Sequence, residues 1–414
     1  MNVAIFTDND FAKVNGVTTT LQAVLEHAPA DIRPRIYTCE DRNFDTTHYL
    51  AVKSVGVGIP FYREMKVYAP PLWRFVRAAV SDRIDLVHLT TPGPVGLAAL
   101  HVARRTGCPL VGSFHTDLTA YTELLSGSSF LGRVMRDYMR WPYGRCARVL
   151  VPSDATRRTL QDGGLDDDRI RIWQRGVSTD RFRPDLRSVE LRADWGVSDR
   201  RRALLYVGRL SREKGLDVLP ALADRLHRSG IDHRWIVVGD GPMRPALESR
   251  SHDAIFTGTL GRDDVAVAMA SADVFVFPSE TDTAGNVVLE AQASGLPVLV
   301  TDKGGPRENM VDGETGFVCR GVPDFSRRIA DLLTRPPERE RLSCGARAYA
   351  QGRSWASALG PLFQVYREVV NAPAAEGASE RPKPSEVVVG RTLGNPGLSL
   401  SSREAVSLDV APRG

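Results

Sequence analysis

The sequence predicts an α/β protein of two domains, each with a doubly wound parallel sheet wrapped by helices. Apolar runs of strand length alternate with helical patterns along the chain, and this alternation is typical of parallel sheets. The chain also has 414 residues, which is long for a single hydrophobic core. The strand-length runs are residues 3–7, 86–89, 110–114, 149–152, 204–207, 235–238, 274–278 and 298–301, and the helical patterns between them include residues 18–26, 95–105, 216–228 and 264–270.

The boundary between the domains is predicted where the sequence turns polar and irregular, between Arg175 and Arg202. We therefore expect a first domain over residues 1–175 and a second over residues 176–353. Residues 354–370 form a separate amphipathic helical pattern. Residues 371–414 begin with a stretch rich in Ala, Pro, Ser and charged residues, and we expect them to be mostly disordered.

Composition excludes several classes of protein. Hydrophobic residues make up 42% and charged residues 25%, which is ordinary for a globular protein. No run of eighteen apolar residues occurs, and the opening MNVAIFTDND predicts a strand rather than a signal peptide, so we expect a cytoplasmic protein. The five cysteines lack CxxC spacing, which argues against a disulfide framework or a zinc site. No basic tract, zinc-finger spacing or RNA-binding aromatic signature indicates a nucleic-acid partner.

A cluster of arginines interleaved with aromatic residues allows two interpretations. It either contacts anionic lipid at the inner face of the plasma membrane or forms a solvated helix face. The cluster consists of Arg133, Arg136, Arg140, Arg145 and Arg148 with Tyr138, Trp141 and Tyr143.

The most informative segment is PSETDTAGNVVLEAQASG, residues 278–295. Asp282 and Glu290 flank seven residues that include a turn at Gly285 and Asn286 and the start of an apolar helix at Val287. Eight residues of ideal helix would separate the carboxylates by ~12 Å. Glycosidase acid pairs lie roughly 5 to 9.5 Å apart. The spacing therefore favours two contacts to one extended polyhydroxy ligand, and the alternative is a capped helix with an incidental Glu.

Loops at other strand ends carry residues suited to phosphate. Arg209 and Lys214 follow the strand at 204–207 and could meet a diphosphate, although a charged surface loop is the alternative. Gly16 follows the first strand, where it would let backbone approach phosphate or simply form a turn, with Thr18 as a candidate helix cap. Gly239 belongs to a GxG pattern whose third glycine is missing, which is weak support for a dinucleotide site.

His115 directly follows the strand at 110–114 and is the histidine best placed for chemistry. Asp117, two residues later, would orient it or meet a second substrate. The other seven histidines are expected at the surface or in the core.

Together these motifs resemble those of retaining glycosyltransferases with the GT-B fold. The pieces TDT, GNVVLEA and ASGLPV resemble the branch that includes bacterial GDP-mannose-dependent α-mannosyltransferases and sulfoquinovosyltransferases, with Asp282 where the first acid is more often Glu. The resemblance spans residues 1–370. It implies two Rossmann-like domains that face a cleft, and a C-terminal helix that crosses back to the first domain.

The resemblance also implies a role for each candidate residue. Asp282 and His115 would contact the donor sugar as catalytic residues. Residues implied in donor binding are Gly16, Arg209, Lys214, Gly285, Asn286, Val287 and Glu290. The nucleobase would lie near Gly239, Phe256 and Leu260, and the acceptor near Asp117 and Tyr121. Ser178 stands where many relatives carry Asp after RGV, so the contact made by that carboxylate is not implied for this chain.

The expected activity is transfer of a hexose, with mannose from GDP-mannose as the best guess, to a lipid or glycan acceptor of the cell envelope. The nucleoside diphosphate sugar is a co-substrate, and neither a cofactor nor a metal is expected. One alternative is a UDP-sugar-dependent glucosyl-, galactosyl- or sulfoquinovosyltransferase. The other is a non-catalytic protein that binds sugar nucleotides.

Overall fold

The computed structural model describes residues 1–9, 11, 15–39, 47–54, 56–59, 62–251 and 253–372. The tail predicted for residues 371–414 lies outside the described residues, apart from its first two positions.

The first half of the chain is built around a parallel sheet. Within the described residues, its seven strands are arranged in the order β3-β2-β1-β6-β7-β8-β9, and β4 and β5 form a separate antiparallel pair. The strands are β1 (Asn2–Phe6), β2 (Arg33–Cys39), β3 (Tyr49–Val52), β4 (Gly56–Ile59), β5 (Tyr62–Tyr68), β6 (Leu86–Leu89), β7 (Leu110–Ser113), β8 (Arg148–Val151) and β9 (Ile170–Ile172). The helices between them are α1 (Gly16–Glu26), α2 (Leu72–Ser81), α3 (Pro94–Thr106), α4 (Leu118–Ser126), α5 (Ser129–Tyr143) and α6 (Asp154–Asp162).

After α7 (Val189–Asp194), the second half forms another parallel sheet, whose order in the described residues is β12-β11-β10-β13-β14-β15. Its strands are β10 (Arg202–Val207), β11 (His233–Val238), β12 (Ile255–Gly258), β13 (Val274–Phe277), β14 (Val298–Thr301) and β15 (Gly316–Cys319). Its helices are α8 (Val218–Arg228), α9 (Arg244–Glu248), α10 (Arg262–Ser271), α11 (Asn286–Ala293), α12 (Gly321–Thr334) and α13 (Pro336–Gln351).

The predicted α/β architecture is therefore confirmed. All eight predicted strand runs correspond to strands, because a strand buried on both faces reads as a continuous apolar run. The prediction left out β2, β3, β4, β5, β9, β12 and β15. Charged residues interrupt β2, β5 and β9, and glycine occurs in β4, β12 and β15, whereas β3 is a short apolar run, YLAV, that was missed.

The chain finally returns to the first sheet through α14 (Trp355–Ala358) and α15 (Gly360–Asn371). The apolar face of α15, including Leu362, Tyr366 and Val369, packs into one cluster with Val3 and Ile5 of β1. Val177 and Phe182, in contrast, belong to the core of the second sheet. The crossover helix is thus present, and the chain passes from one core to the other after Trp173, close to the predicted boundary at residue 175.

Candidate functional site

Parallel order brings the loops that follow neighbouring strands to one edge of each sheet. In the second sheet, β10 lies between β11 and β13, so the loops that carry Lys214, Gly239 and Asp282 share an edge. In the first sheet, β1 is next to β6, and β7 is next to β8, which gathers the loops after these strands. The two edges face each other and are joined by hydrogen bonds.

Lys214 and Asp282 form an ion pair at this edge. The Lys214 ammonium lies 2.7 Å from Asp282 Oδ1 and 2.9 Å from Oδ2. The side chains are only 16% and 18% exposed. Burial by itself would lower the pKa of Lys214, but the Asp282 carboxylate together with Tyr121 and Tyr206 outweighs this effect, and the pKa is raised. Lys214 is therefore a fixed, partly desolvated cation.

The loop that carries Lys214 is held against the loop that carries Asp282. Thr281 and Ser279 both donate their hydroxyls to the Glu213 carbonyl, at 2.9 and 3.3 Å. Gly215 has a left-handed φ of 67°, and a Cβ there would lie 2.5 Å from the Pro278 carbonyl oxygen. The glycine is required because the two backbones approach so closely. Arg209 is half-buried, and its carbonyl accepts a 3.0 Å hydrogen bond from the buried Tyr206 hydroxyl.

Helix α11 begins with Gly285 in the left-handed conformation, at φ 69°. Asn286, its first residue, donates from Nδ2 to the Gly16 carbonyl of the first sheet at 3.3 Å. Val287 is half-buried beside it. The structure therefore brings Gly16 to the start of α11. Helix α1 is capped by Asn15, whose side chain accepts from the Val17 and Thr18 amides, so the expectation that Thr18 is the cap is wrong. Thr18 instead accepts the Asn15 amide as the reciprocal partner.

Glu290 projects from α11 with 18% of its side chain exposed. Its carboxylate lies 3.5 Å from Nη2 of Arg262, at the start of α10. Burial raises the pKa of Glu290, and Arg262 and Arg181 offset part of this effect. Sequence reasoning missed Arg262. Its position two residues after Leu260, in the candidate nucleobase region, could have indicated that it lies near the site.

His115 lies where the two halves meet. Its carbonyl accepts a 2.7 Å hydrogen bond from the Thr283 hydroxyl. Its ring is half-buried, with Nε2 at 2.8 Å from Ser113 Oγ and Nδ1 at 3.0 Å from Arg175 Nη2. Burial lowers the pKa of His115 well below its usual value, and the positive charge of Arg175 adds to this. The imidazole is therefore neutral near pH 7.

The candidate acceptor-side residues lie on α4. The Asp117 carboxylate caps this helix by accepting the Ala120 amide at 3.0 Å, and burial raises its pKa. Tyr121 is half-buried and close enough to Lys214 to interact with it electrostatically. Asp117 thus has a structural reason to be present, whereas Tyr121 faces the Lys214 loop.

The candidate nucleobase region lies at the β11–β12 edge. The Gly239 amide donates to the Gly258 carbonyl at 2.9 Å, and Phe256 and Leu260 are half-buried nearby. A Cβ at Gly239 would lie 2.0 Å from the Gly208 carbonyl oxygen. The close crossing of the β10 and β11 loops therefore explains this glycine without any ligand.

Two further contacts join the halves. Ser153, which caps α6, donates its hydroxyl to the Thr283 carbonyl at 2.9 Å. Glu308 of the second half accepts the Asp154 amide at 2.6 Å and the Ala155 amide at 2.8 Å. A carboxylate at a helix N-terminus is stabilised by the unsatisfied amides and the helix dipole. Glu308 thus caps a helix that belongs to the other half of the chain.

Asp8 is a carboxylate that sequence reasoning missed. It accepts from Thr91 Oγ1 at 2.6 Å and from the Val95 and Gly96 amides at 2.8 and 3.0 Å. Burial raises its pKa. It ties the end of β1 to the start of α3. Among the described residues, no group of three or more His, Cys, Asp or Glu side chains is arranged to hold a metal ion.

Comparison with known proteins identifies the family. The chain matches the model of Glycosyltransferase Family 4 over residues 14–181 and that of Glycosyl transferases group 1 over residues 188–349. The GDP-mannose-dependent alpha-mannosyltransferase of Mycobacterium tuberculosis is 35% identical over 380 residues, which cover 89% of this chain and 97% of that protein. The protein of the same name from Corynebacterium glutamicum is 31% identical over 379 residues, which cover 89% of each chain.

The chain belongs to this family of glycosyltransferases. A sulfoquinovosyl transferase from Arabidopsis thaliana is also similar to the enzyme, with 32% identity over 310 residues that cover 72% of this chain and 59% of the plant protein.

Solved structures show that the glycosyltransferase has the GT-B fold. Sucrose-phosphate synthase from Thermosynechococcus elongatus superposes with a TM-score of 0.71 at 18% identity, covering 90% of this chain and 99% of that chain. HepE from Anabaena in complex with UDP-glucose superposes with a TM-score of 0.70 at 19% identity, and the superposition covers 89% of this chain and 100% of the HepE chain. At this identity the likeness concerns the fold alone.

The glycosyltransferase also exposes an apolar stripe on α5. Phe130, Val134 and Trp141 are 62%, 50% and 47% exposed and are spaced at helical intervals. Two members of the predicted arginine and aromatic cluster do not belong to this surface. Tyr143 is 1% exposed and packs in the core, since Phe114 covers its ring, and Arg148 pairs with Glu368 of α15 at 2.7 Å. Within the described part of the enzyme, no helix has the length and apolarity needed to cross a bilayer.

Proposed function

We propose that this glycosyltransferase moves a hexose, with retention of configuration, from a nucleoside diphosphate sugar to a lipid or glycan acceptor of the cell envelope. GDP-mannose is our choice of donor, because the mannosyltransferases named above are 31% and 35% identical to the chain and align over 89% of it.

The observation that carries the proposal is the pair of charged contacts at one edge of the second sheet. Lys214 is held at 2.7 Å from Asp282, and Glu290 lies 3.5 Å from Arg262. In the proposed complex, Lys214 and Arg209 bind the diphosphate, and Glu290 accepts hydrogen bonds from the ribose hydroxyls. The nucleobase would lie along Gly239, Phe256 and Leu260, and Gly285, Asn286 and Val287 would offer the amides at the start of α11 to the donor.

The first sheet would complete the donor site from the opposite side. Gly16 accepts a hydrogen bond from Asn286 through its carbonyl, so its backbone lies against the start of α11. In the proposed complex, the Gly16 backbone approaches the donor phosphate. Asp282 and His115 would orient the sugar, and Asp117 and Tyr121 would lie toward the acceptor.

The chemistry follows from where charge develops. As the bond between sugar and phosphate breaks, negative charge grows on the diphosphate and the sugar becomes oxocarbenium-like. Preorganised cations such as Lys214 and Arg209 stabilise that separation without reorganising. The acceptor hydroxyl then attacks from the face that the phosphate leaves, and the leaving phosphate takes the hydroxyl proton. This scheme requires neither a protein nucleophile nor a metal ion.

A lipid acceptor fits the surface of α5. Phe130, Val134 and Trp141 would insert at the lipid interface, while Arg133 and Arg140, which are also exposed, would meet anionic headgroups. Tyr138 of the same helix donates its hydroxyl to the Pro92 carbonyl, in the loop after β6. Contact of α5 with a membrane would thus place the site edge of the first sheet near the surface.

The test is a donor screen with mass detection of the product. Purified protein is incubated with GDP-mannose, UDP-glucose or UDP-galactose and a lipid extract, and nucleotide release is compared with and without the acceptor. We expect acceptor-dependent GDP release that chelator does not abolish and that Lys214→Met removes. Release of UDP alone would move the donor to the UDP-sugar class. Nucleotide binding without transfer to any acceptor would favour the non-catalytic alternative.

Membrane contact is tested by flotation with vesicles that do or do not contain anionic lipid. We expect the double variant Phe130→Ser, Trp141→Ser to lose binding to anionic vesicles. Val189→Ser is the matched control, since Val189 is 76% exposed on α7, in the other half of the chain. Equal binding by both variants would contradict the α5 surface.

A further inference from the structure

A line of buried hydrogen bonds runs from the crossover helix to the candidate site. Tyr366 Oη on α15 lies 2.6 Å from Nδ1 of His88, which is fully buried in β6. His88 Nε2 lies 2.8 Å from Ser113 Oγ at the end of β7. The same hydroxyl lies 2.8 Å from His115 Nε2, and His115 Nδ1 lies 3.0 Å from Arg175 Nη2.

The proton positions in this line follow from its charged end. Arg175 can only donate, so His115 Nδ1 accepts and His115 Nε2 carries the hydrogen. That hydrogen is donated to Ser113 Oγ, and the Ser113 hydroxyl donates onward to His88 Nε2. His88 then carries its hydrogen on Nδ1 and donates to Tyr366 Oη. The two imidazoles are therefore opposite tautomers.

The surroundings keep both imidazoles neutral. Burial lowers the pKa of His88 to about 3. Arg175 is 2% exposed, lies 4.6 Å from the centroid of the Trp173 ring, and forms no ion pair with any residue that the structure describes. A second positive charge on His115 next to this guanidinium would be costly, because little solvent screens it. The direction of the hydrogen bonds is thus set by the fixed charge at one end.

We propose that Tyr366, His88 and Ser113 are positioning residues that hold the orientation of the His115 ring, while Arg175 fixes its tautomer. Both ring nitrogens are engaged within the protein, at 2.8 Å from Ser113 Oγ and 3.0 Å from Arg175 Nη2, so the line fixes the plane of the imidazole. Helix α15 thereby contributes to positioning His115, because the Tyr366 hydroxyl is the last acceptor in the line. The consequence for catalysis rests on the function proposed above, whereas the tautomers do not depend on the identity of the donor.

The test compares Tyr366→Phe and Ser113→Ala with Tyr37→Phe. Tyr37 is a matched control because it is fully buried in the same domain and its hydroxyl binds Asp82, outside the line. Side-chain ¹⁵N NMR of histidine-labelled protein reports which ring nitrogen is protonated, with His115→Gln and His88→Gln used for assignment. We expect wild type and Tyr37→Phe to show His115 protonated on Nε2 and His88 on Nδ1.

In Tyr366→Phe and Ser113→Ala we expect mixed His88 tautomers, since each variant removes one partner of that ring, while Arg175 keeps the His115 hydrogen on Nε2. We also expect kcat to fall about tenfold, at the low end of what second-shell partners of a functional histidine contribute in metal sites. The KM for the nucleotide sugar should change less than twofold. If the His88 tautomer changes in these variants but the wild-type protein transfers no sugar, the result would support the line of hydrogen bonds and reject the proposed activity. An unchanged His88 tautomer in both variants, with kcat no lower than in Tyr37→Phe, would overturn the proposal.

Discussion

The ion pair between Lys214 and Asp282 predicts that one substitution has opposite effects on nucleotide binding and on transfer. Asp282→Asn preserves the shape of the side chain and removes its charge. In the free enzyme Asp282 competes with a diphosphate for Lys214. We therefore expect the variant to bind GDP at least as tightly as wild type while it loses activity.

The magnitudes follow from the geometry. At an effective dielectric constant of about 20, unit charges about 2.8 Å apart attract by roughly 6 kcal/mol, and desolvation offsets much of this. Leaving one partner of a fully buried pair uncompensated costs roughly 3–5 kcal/mol, and the 16% and 18% exposure of these side chains reduces our expectation to about 2 kcal/mol. That loss corresponds to a fall in Tm of about 4–8 °C. Removing the competing carboxylate should tighten GDP binding by up to about tenfold, or 1.4 kcal/mol.

Transfer should change in the other direction. A hydrogen bond between a charged group and a sugar hydroxyl contributes about 1.5–3 kcal/mol, so kcat/KM should fall roughly 10- to 100-fold. Calorimetric titration with GDP, thermal unfolding and a transfer assay measure the three quantities. Glu280→Gln is the control, since its pair with Lys303 has side chains 51% and 63% exposed, and exposed pairs contribute little. Loss of GDP binding in Asp282→Asn would refute the reasoning.

The remaining predictions concern domain closure, the turn before α11 and pH. Glu308→Gln weakens charge-assisted contacts to the Asp154 helix by about 1–2 kcal/mol, so small-angle scattering should show a larger radius of gyration that GDP reverses. Gly285→Ala should cost more than 1 kcal/mol and weaken GDP binding, because φ is 69° and the new Cβ would lie 2.9 Å from Pro306 Cγ. His88 is protonated below about pH 6.5 in the unfolded chain, but its pKa in the folded chain is about 3. The free energy of unfolding should therefore fall by about 1.4 kcal/mol for each unit by which the pH is lowered between these two values.

Two of these predictions have a matched control. Gly230→Ala has the same φ of 69° with no neighbour within 4 Å, so it isolates the backbone strain from the contact with Pro306. His88→Gln should remove its share of the pH slope, and His101→Gln is the matched substitution at an exposed position. A scattering profile of Glu308→Gln identical to that of wild type would contradict a closing role for this carboxylate. Equal stability of Gly285→Ala and Gly230→Ala would show that the contact with Pro306 relaxes freely.

Local patterns in the sequence were enough to predict the class of fold and the loops of the site. Apolar runs follow from burial of strands on both faces, so the eight predicted strands could be found without any tertiary information. The left-handed Gly285 and the helix that it starts were also predictable, because turn chemistry is local. The edge strands were not predicted: β9 has only three residues with an arginine at its centre, and β3 is a four-residue apolar run that was missed. Tyr143 was misassigned because an aromatic residue among arginines looks the same whether its ring faces solvent or the core.

The sequence by itself determined the alternation of strands and helices, the crossover helix and the chemical types available at each strand end. Only the tertiary structure decided which of those groups meet. Lys214 pairs with a carboxylate 68 residues away, Glu308 caps a helix of the other half, and His88 hydrogen-bonds a tyrosine 278 residues away. Such pairings depend on the order of strands in a sheet and on how two sheets face each other. Periodicity records how much of each residue is buried, but not the residue against which it is buried.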